Sequence, residues 1–151
     1  MKVNIMLIDN NVIDLFVSQK NIEKLEIDSS IKTFNNGFSA ISFLEKINTE
    51  NNQQSMFIPD FILLDINMPK MNGFQFLSAF KKLDISKERN IKIFMLSASN
   101  NIKFIENAKS ERFCSGYIEK PINVKKLNNM FKSFKPFLKE FDYHDNDVNI
   151  V

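Results

Sequence analysis

The sequence predicts an α/β fold, in which a doubly wound parallel sheet of five strands is covered by helices on both faces. Short apolar runs alternate five times with longer amphipathic stretches, which is the pattern of such a sheet. Two of the runs are almost continuously apolar, as strands buried on both faces require. The 151 residues, 44% hydrophobic and 25% charged, suit one globular domain.

Five apolar runs are the candidate strands. They cover residues 3–8, 30–34, 61–64, 91–96 and 116–118. The first, third and fourth are expected at the centre of the sheet, because burial on both faces favours strands without polar residues.

Apolar residues recur at helical spacing after each strand, so each of these stretches predicts a helix that packs on the sheet. The five sets are Val12, Leu15, Phe16, Ile22 and Leu25; Ile41, Leu44 and Ile47; Phe74, Leu77 and Phe80; Ile102, Ile105 and Ala108; and Val124, Leu127, Met130, Phe131 and Phe134. Pro136 is expected to end the last helix. Residues 1–135 are therefore the predicted domain, and 136–151 form a C-terminal tail that either docks or frays.

Composition excludes several classes of protein. The net charge of +2 comes from 20 basic and 18 acidic residues spread along the chain, so a nucleic-acid partner has no electrostatic support. Cys114 is the only cysteine, which excludes an internal disulfide and fits a reducing compartment. The apolar run that ends at Asp9 is too short for a signal peptide or a membrane span, so a cytoplasmic protein is expected.

Polar residues follow the predicted strands at the positions where a doubly wound sheet forms its ligand site. Asp9 and Asn10 follow the first strand, Asp65 the third, Ser97 the fourth and Lys120 the fifth. Two carboxylates, an amide, a hydroxyl and an ammonium group are thereby directed to one small volume.

This set of groups suits phosphoryl transfer to an aspartate. Carboxylates bind Mg²⁺, the ion and an ammonium group neutralise phosphoryl oxygens, and one carboxylate attacks phosphorus. Such a reaction depends on positioning and charge, so a few side chains on rigid strand ends are sufficient.

Residues 60–69 read Asp-Phe-Ile-Leu-Leu-Asp-Ile-Asn-Met-Pro, and Met71-Asn72-Gly73 follows. This string resembles the phosphorylation motif of the response-regulator receiver family, the chemotaxis-type receivers of two-component signalling. The resemblance extends from about residue 3 to residue 134. It implies a flavodoxin-like sheet of order 2-1-3-4-5 with five helices.

By this resemblance, Asp65 is the phosphoacceptor, and the backbone carbonyl of Asn67 is a Mg²⁺ ligand. Asp9 helps to hold the metal, with Asn10 beside it. Ser97 binds the phosphoryl group, and Lys120 pairs with that group.

Three residues have two possible roles. Tyr117 occupies the position of the family's aromatic switch, which acts with Ser97, but it could also be a half-buried aromatic with its hydroxyl in water. Asp9 could also be the N-cap of the first helix, a role that is compatible with metal contact. Asp14 could approach the site from four residues after Asn10, although a solvated surface position is favoured. His144 is expected to be an ordinary surface residue.

The sequence departs from the family at Asn10. The family usually has two acidic residues after the first strand, whereas this chain has Asp9 and Asn10. Fewer charged ligands lower the affinity of a divalent site, so a working receiver with weak Mg²⁺ binding is expected.

The resemblance implies a stand-alone receiver that is phosphorylated by a histidine kinase or a histidine phosphotransfer protein. It would be no enzyme beyond catalysing its own phosphorylation and dephosphorylation. Its output would be a protein contact through the face of the fourth helix, fifth strand and fifth helix, with no nucleic-acid or membrane partner.

The alternative function is a haloacid-dehalogenase-type phosphatase with Asp65 as nucleophile. Two features oppose it. That chemistry needs an acid two positions after the nucleophile, where Asn67 stands, and its nucleophile follows the first strand.

Overall fold

The computed structural model describes residues 2–49, 56–98, 102–134 and 148–150. The strands are β1 (Val3–Ile8), β2 (Ser29–Phe34), β3 (Phe61–Asp65), β4 (Lys92–Ser97), β5 (Cys114–Glu119) and β6 (Val148–Ile150). The helices are α1 (Val12–Glu23), α2 (Gly37–Thr49), α3 (Gly73–Phe80), α4 (Ile85–Glu88), α5 (Ile102–Ser110) and α6 (Val124–Lys132).

The strands form one sheet in the order β2-β1-β3-β4-β5-β6. The first five are parallel, so the predicted flavodoxin-like order 2-1-3-4-5 is confirmed, and β1, β3 and β4 are interior strands as expected. The sixth strand runs antiparallel to β5 and pairs Tyr117 with Asn149. Within the predicted tail, residues 148–150 thus lie against the sheet, whereas 136–147, including His144, are outside the described residues.

The prediction of five helices is wrong, because the described part of the chain contains a sixth, the four-residue helix α4. One helical turn is too short to show a periodic apolar pattern in the sequence. Its apolar residue Ile85 is buried in the core. The helices that the sequence numbers fourth and fifth are therefore α5 and α6.

The core has one layer on each side of the sheet, since successive side chains of a strand point to opposite faces. On one side, Ile5 and Leu7 of β1 pack with residues of α1 and α6, such as Leu15 and Phe131. On the other side, the cluster includes residues of α2, α3, α4 and α5. All five residues of β3 are buried, so the strand that ends in Asp65 is fixed from both faces.

Among the described residues, no helix has both the length and the apolar character needed to span a bilayer.

Candidate functional site

The carboxyl ends of β1, β3, β4 and β5 bring four of the predicted site residues together. The register pairs Asp65 with Leu96 and Ser97 with Glu119, so these strand ends lie at one level of the sheet. Asp9 follows β1 directly, and its backbone amide donates to the carbonyl of Phe34. Asp9, Asp65 and Ser97 are buried, with residue exposures of 2%, 5% and 4%.

The Lys120 ammonium group is the centre of the site. It donates to Asp9 Oδ2 at 2.6 Å and to Asp14 Oδ2 at 3.1 Å, and it lies 3.4 Å from Asp65 Oδ1. Its side chain is 14% exposed. Three carboxylates therefore share one cation that is mostly shielded from water, where their interactions are stronger than at a free surface.

The backbone of Lys120 is also bound to the site. Its amide donates to the carbonyl of Ser97 at 2.7 Å, and the peptide bond between Lys120 and Pro121 is cis. Two side chains hold the following loop. Lys126 Nζ donates to the carbonyls of Glu119 and Pro121 at 2.7 and 3.2 Å, and Asn21 Nδ2 donates to the carbonyl of Ile122 at 2.8 Å. The sequence carries no motif that would have identified these two residues.

Asp65 has a perturbed acidity. Burial and the neighbouring charge of Asp9 raise the pKa of the Asp65 carboxyl to about 6, and the ammonium group of Lys120 acts in the opposite direction. Burial opposes the charging of Lys120, but the hydrogen bond to Asp9 and the carboxylate of Asp65 raise the pKa of Lys120 above its usual value. At neutral pH the carboxylate of Asp65 is thus mostly ionised and lies beside a permanent cation.

Asp9 is not the N-cap of α1, which was its alternative role. Asn11 takes that position, and its side chain accepts from the amides of Ile13 and Asp14. Asp9 Oδ1 instead accepts from the backbone amide of Asn11 at 2.9 Å. The Asp9 carboxylate is therefore oriented by one oxygen while its other oxygen contacts Lys120.

Asn10 is exposed, and its amide faces both Asp65 and the Asn67 backbone. With its nitrogen toward the site, it donates to the Asn67 carbonyl at 3.2 Å and to Asp65 Oδ2 at 3.3 Å. In the opposite amide orientation, the Asn10 amide oxygen faces the Asn67 carbonyl oxygen and Asp65 Oδ2. Three oxygens in this arrangement are favourable only with a cation among them. Carboxylate, carbonyl and amide oxygens are the ligands that Mg²⁺ uses, so this donor set fits the ion.

The carboxylate content of the site is low for a metal centre. No group of three or more His, Cys, Asp or Glu residues arranged for metal binding occurs in the described part of the chain. The third carboxylate, Asp14, contacts Lys120 and has a side chain that is 42% exposed, so it lies at the surface and also approaches the site.

The structure places Ser97 and Tyr117 on adjacent strands. Tyr117 pairs with Met95 in the sheet register and is partly buried against the core layer that contains Ala108 of α5. Ser97 is the last residue of β4, and its carbonyl accepts the Lys120 amide as described above. A change at Ser97 has a short route to β5 through this hydrogen bond.

The segment that follows Asp65 packs against the strand that carries it. Asn72 caps α3, and the backbone amide of Gly73 donates to the carbonyl of Ile66 at 2.9 Å. The amide of Asn67 lies 3.4 Å from Asp65 Oδ1, at the long limit of a hydrogen bond. The start of α3 is thus packed directly on the backbone that carries Asp65.

Comparison with known proteins assigns the chain to a family. The sequence model of the response regulator receiver domain matches residues 5–132, and the chain therefore belongs to that family. Receiver domains are signalling domains of two-component systems rather than ordinary enzymes, and they bind Mg²⁺ and act with histidine kinases or phosphotransferases.

Individual receivers are similar over most of the chain. Response regulator Rcp1 of Synechocystis is 27% identical over 136 residues, which are 90% of this chain and 88% of Rcp1. A crystal structure of a receiver protein from Dyadobacter fermentans has 30% identity and a TM-score of 0.73, covering 89% of this chain and 98% of its own. The Mn²⁺-bound structure of Rcp1 has 25% identity and a TM-score of 0.65, covering 89% and 93%.

Proposed function

We propose that this chain is a response regulator that accepts a phosphoryl group on Asp65 from a histidine kinase or a histidine phosphotransfer protein, and that it signals through protein contacts. The observation that carries the proposal is the ammonium group of Lys120, 3.4 Å from Asp65 Oδ1 and bound to Asp9. A buried strand-end carboxylate beside a lysine is arranged to receive a phosphoryl group and to neutralise it.

In the proposed reaction, an Asp65 carboxylate oxygen attacks the phosphorus of a phosphohistidine. The new O–P bond forms as the P–N bond breaks, and the electron pair stays on the leaving imidazole nitrogen. The attack needs an ionised carboxylate, and a pKa of about 6 leaves most Asp65 ionised near neutral pH.

Lys120 and Ser97 would bind the product. The phosphoryl oxygens would attract the Lys120 ammonium group away from Asp9 and Asp14, because they carry more charge than one carboxylate. The Ser97 hydroxyl would donate to another phosphoryl oxygen.

A divalent cation would be held by Asp9, Asp65, the amide oxygen of Asn10 and the carbonyl of Asn67. Its chemistry is to neutralise charge on the phosphoryl oxygens during transfer. The Mn²⁺-bound structure of the related Rcp1 supports a divalent ion, and the Asp65 Oδ2 and Asn67 carbonyl oxygens that both face the Asn10 amide support this position. With Asn10 in place of an acidic residue, the affinity for Mg²⁺ would be low.

The incoming phosphodonor would dock on α1. Four large apolar side chains are exposed on its first half, beside the site: Val12, Ile13, Phe16 and Val17, with exposures of 68%, 72%, 61% and 41%. The opposite side of the helix is buried through residues such as Leu15 and Ile22. An exposed apolar patch next to a reactive group is suited to a protein partner that must approach that group.

The output would use the face of α5, β5 and α6, with Ser97 and Tyr117 as the switch. Tyr117 packs against the core layer that includes Ala108 of α5, so repacking at this residue would alter that face. Strand β6 already pairs with the outer edge of β5, so a partner on this face would meet β6 as well.

A small-molecule phosphodonor tests the proposal. Incubation with acetyl phosphate and Mg²⁺ should add one phosphoryl group to the wild type and none to Asp65→Asn, as measured by intact-mass spectrometry. Asp60→Asn, one carboxylate removed at the opposite end of β3, is the control and should still be phosphorylated. Absence of the adduct from the wild type, or its presence in Asp65→Asn, would contradict the proposal.

The phosphatase alternative gains no support. Asp65 ends the third strand in sequence, and the family match over residues 5–132 is to signalling domains. Turnover of phosphomonoesters at enzyme-like rates would be the observation in its favour.

A further inference from the structure

Asp14 is a third carboxylate bound to Lys120, and it lies outside the set of strand-end residues. Its Oδ2 accepts from Lys120 Nζ at 3.1 Å, while Asp9 Oδ2 accepts from the same nitrogen at 2.6 Å. Asp14 belongs to the first turn of α1, so it approaches the lysine from a helix and not from the sheet. The ammonium group is held between two elements.

A purely local role for Asp14 does not explain this contact. An acidic residue in the first turn of a helix is favourable because it faces the positive end of the helix dipole. The helix-dipole effect needs only an acidic residue in the first turn and no contact with Lys120, and the N-cap role is already filled by Asn11. The hydrogen bond to Lys120, 106 residues away in sequence, is an additional property of this fold.

We propose that Asp14 is a positioning residue that holds the Lys120 ammonium group toward α1 before phosphorylation and thereby opposes its transfer to a phosphoryl group on Asp65. The inference rests on the proposed function of Asp65. On phosphorylation, the ammonium group must weaken or lose its bond to Asp14, and the Asp14 carboxylate repels the new anion.

The charges at positions 10 and 14 support this role. Asn10, which faces Asp65 and Asn67, is neutral, whereas Asp14, which faces Lys120, is charged. Three carboxylates therefore surround the lysine, and Asp14 is the one that approaches it from α1 and lies outside the proposed ligands of the divalent cation. A carboxylate placed this way favours the unphosphorylated arrangement of Lys120.

The test uses beryllium fluoride, which binds to aspartate as a phosphoryl mimic, in saturating Mg²⁺. We expect Asp14→Asn to bind it more tightly than the wild type by roughly 2- to 5-fold, the range that a partly exposed ion pair can supply. Asp14→Glu, which keeps the carboxylate, should stay near the wild type. Glu26→Gln is the control. It removes the same charge from an exposed residue in the turn between α1 and β2 and should have no effect.

A second measurement separates positioning from a structural role. The side-chain NMR signals of Lys120 should shift in Asp14→Asn before any beryllium fluoride is added, and should not shift in Glu26→Gln. Unchanged signals, or equal or weaker beryllium fluoride binding by Asp14→Asn, would overturn the inference. If the wild type itself failed to bind beryllium fluoride, the phosphoacceptor role of Asp65 would be wrong, and the inference would fall with it.

Discussion

At the scale of single residues, the site combines charged groups whose burial opposes folding but which suit the proposed phosphoryl transfer. Asp65 is the clearest case, since burial and Asp9 raise the pKa of its carboxyl while Lys120 offsets only part of this effect. A buried carboxylate with a raised pKa costs folding free energy when it is ionised. Under the proposed function this cost is the condition for reactivity, because a neutral side chain could not attack phosphorus.

Asp65→Asn should therefore stabilise the fold at neutral pH. The folded state holds the Asp65 proton more tightly than the unfolded state, so stability falls as pH rises from the usual pKa of 3.8 to about 6, and the full cost is present above that value. We expect a gain of roughly 1 to 3 kcal/mol at pH 7 that disappears by about pH 4. Urea denaturation at both pH values measures it, and a gain independent of pH would show another cause.

Asn10→Asp should increase the affinity for Mg²⁺ by roughly tenfold, because it adds a charged ligand opposite Asp65 and the Asn67 carbonyl. Isothermal titration calorimetry of both proteins is the measurement. Asn11→Asp is the matched control, since it adds the same charge one residue further along and an aspartate still caps α1. Equal affinities of wild type and Asn10→Asp would remove the idea that position 10 sets metal binding.

At the scale of elements, the start of α3 packs directly on the strand that ends in Asp65. A Cβ atom at Gly73 would lie 2.9 Å from the carbonyl oxygen of Asp65 and 3.0 Å from Ile66 Cα, both of which are backbone atoms. Gly37, which begins α2, is crowded mainly by the Sδ atom of Met71 at 2.8 Å, near the end of a flexible side chain.

The two glycines should respond differently to alanine. Gly73→Ala should lower the free energy of unfolding by about 1 to 3 kcal/mol and slow phosphorylation by acetyl phosphate, because Asp65 must shift. Gly37→Ala should stay within about 1 kcal/mol of the wild type, since Met71 can rotate. Thermal denaturation of both variants makes the comparison, and similar losses would mean that the close packing on Asp65 is unimportant.

The elements also show why part of the site was predictable from the sequence. Strand ends of a parallel sheet meet at one edge, so Asp9, Asp65, Ser97 and Lys120 could be grouped from apolar runs alone. Asp14 was placed on the correct side of the first helix by its spacing, but only the packing of α1 determines its contact with Lys120. Helix α4 and strand β6 are too short for periodicity, and their contacts with distant residues decide their structure.

At the scale of the whole molecule, two surfaces have separate proposed roles. The exposed apolar side chains of α1, the helix whose Asp14 contacts Lys120, would receive the phosphodonor, whereas α5, β5 and α6 would carry the output. If both roles are right, phosphorylation by a small molecule would need only the site, whereas phosphorylation by a protein would need the α1 surface too.

Phe16→Ala should distinguish these requirements. We expect it to slow transfer from a histidine kinase that phosphorylates the wild type by roughly tenfold or more, since buried aromatic contacts dominate interface energies. Its rate with acetyl phosphate should not change. Phe38→Ala is the control, because Phe38 lies on α2 and is 53% exposed against 61% for Phe16. Equal slowing with both donors would show damage to the site and not to docking.

The loop that carries Lys120 has a mechanical consequence. Lys126 and Asn21, from two different helices, bind three carbonyl groups around it, so this segment is anchored at its backbone. A change of partner from Asp14 on α1 to a phosphoryl group would therefore take place by movement of the Lys120 side chain alone. The Lys120 side chain would then exchange partners while its backbone stays in place, so the loop itself would not move, and a signal would reach β5 through Ser97 and its hydrogen bond to the Lys120 amide.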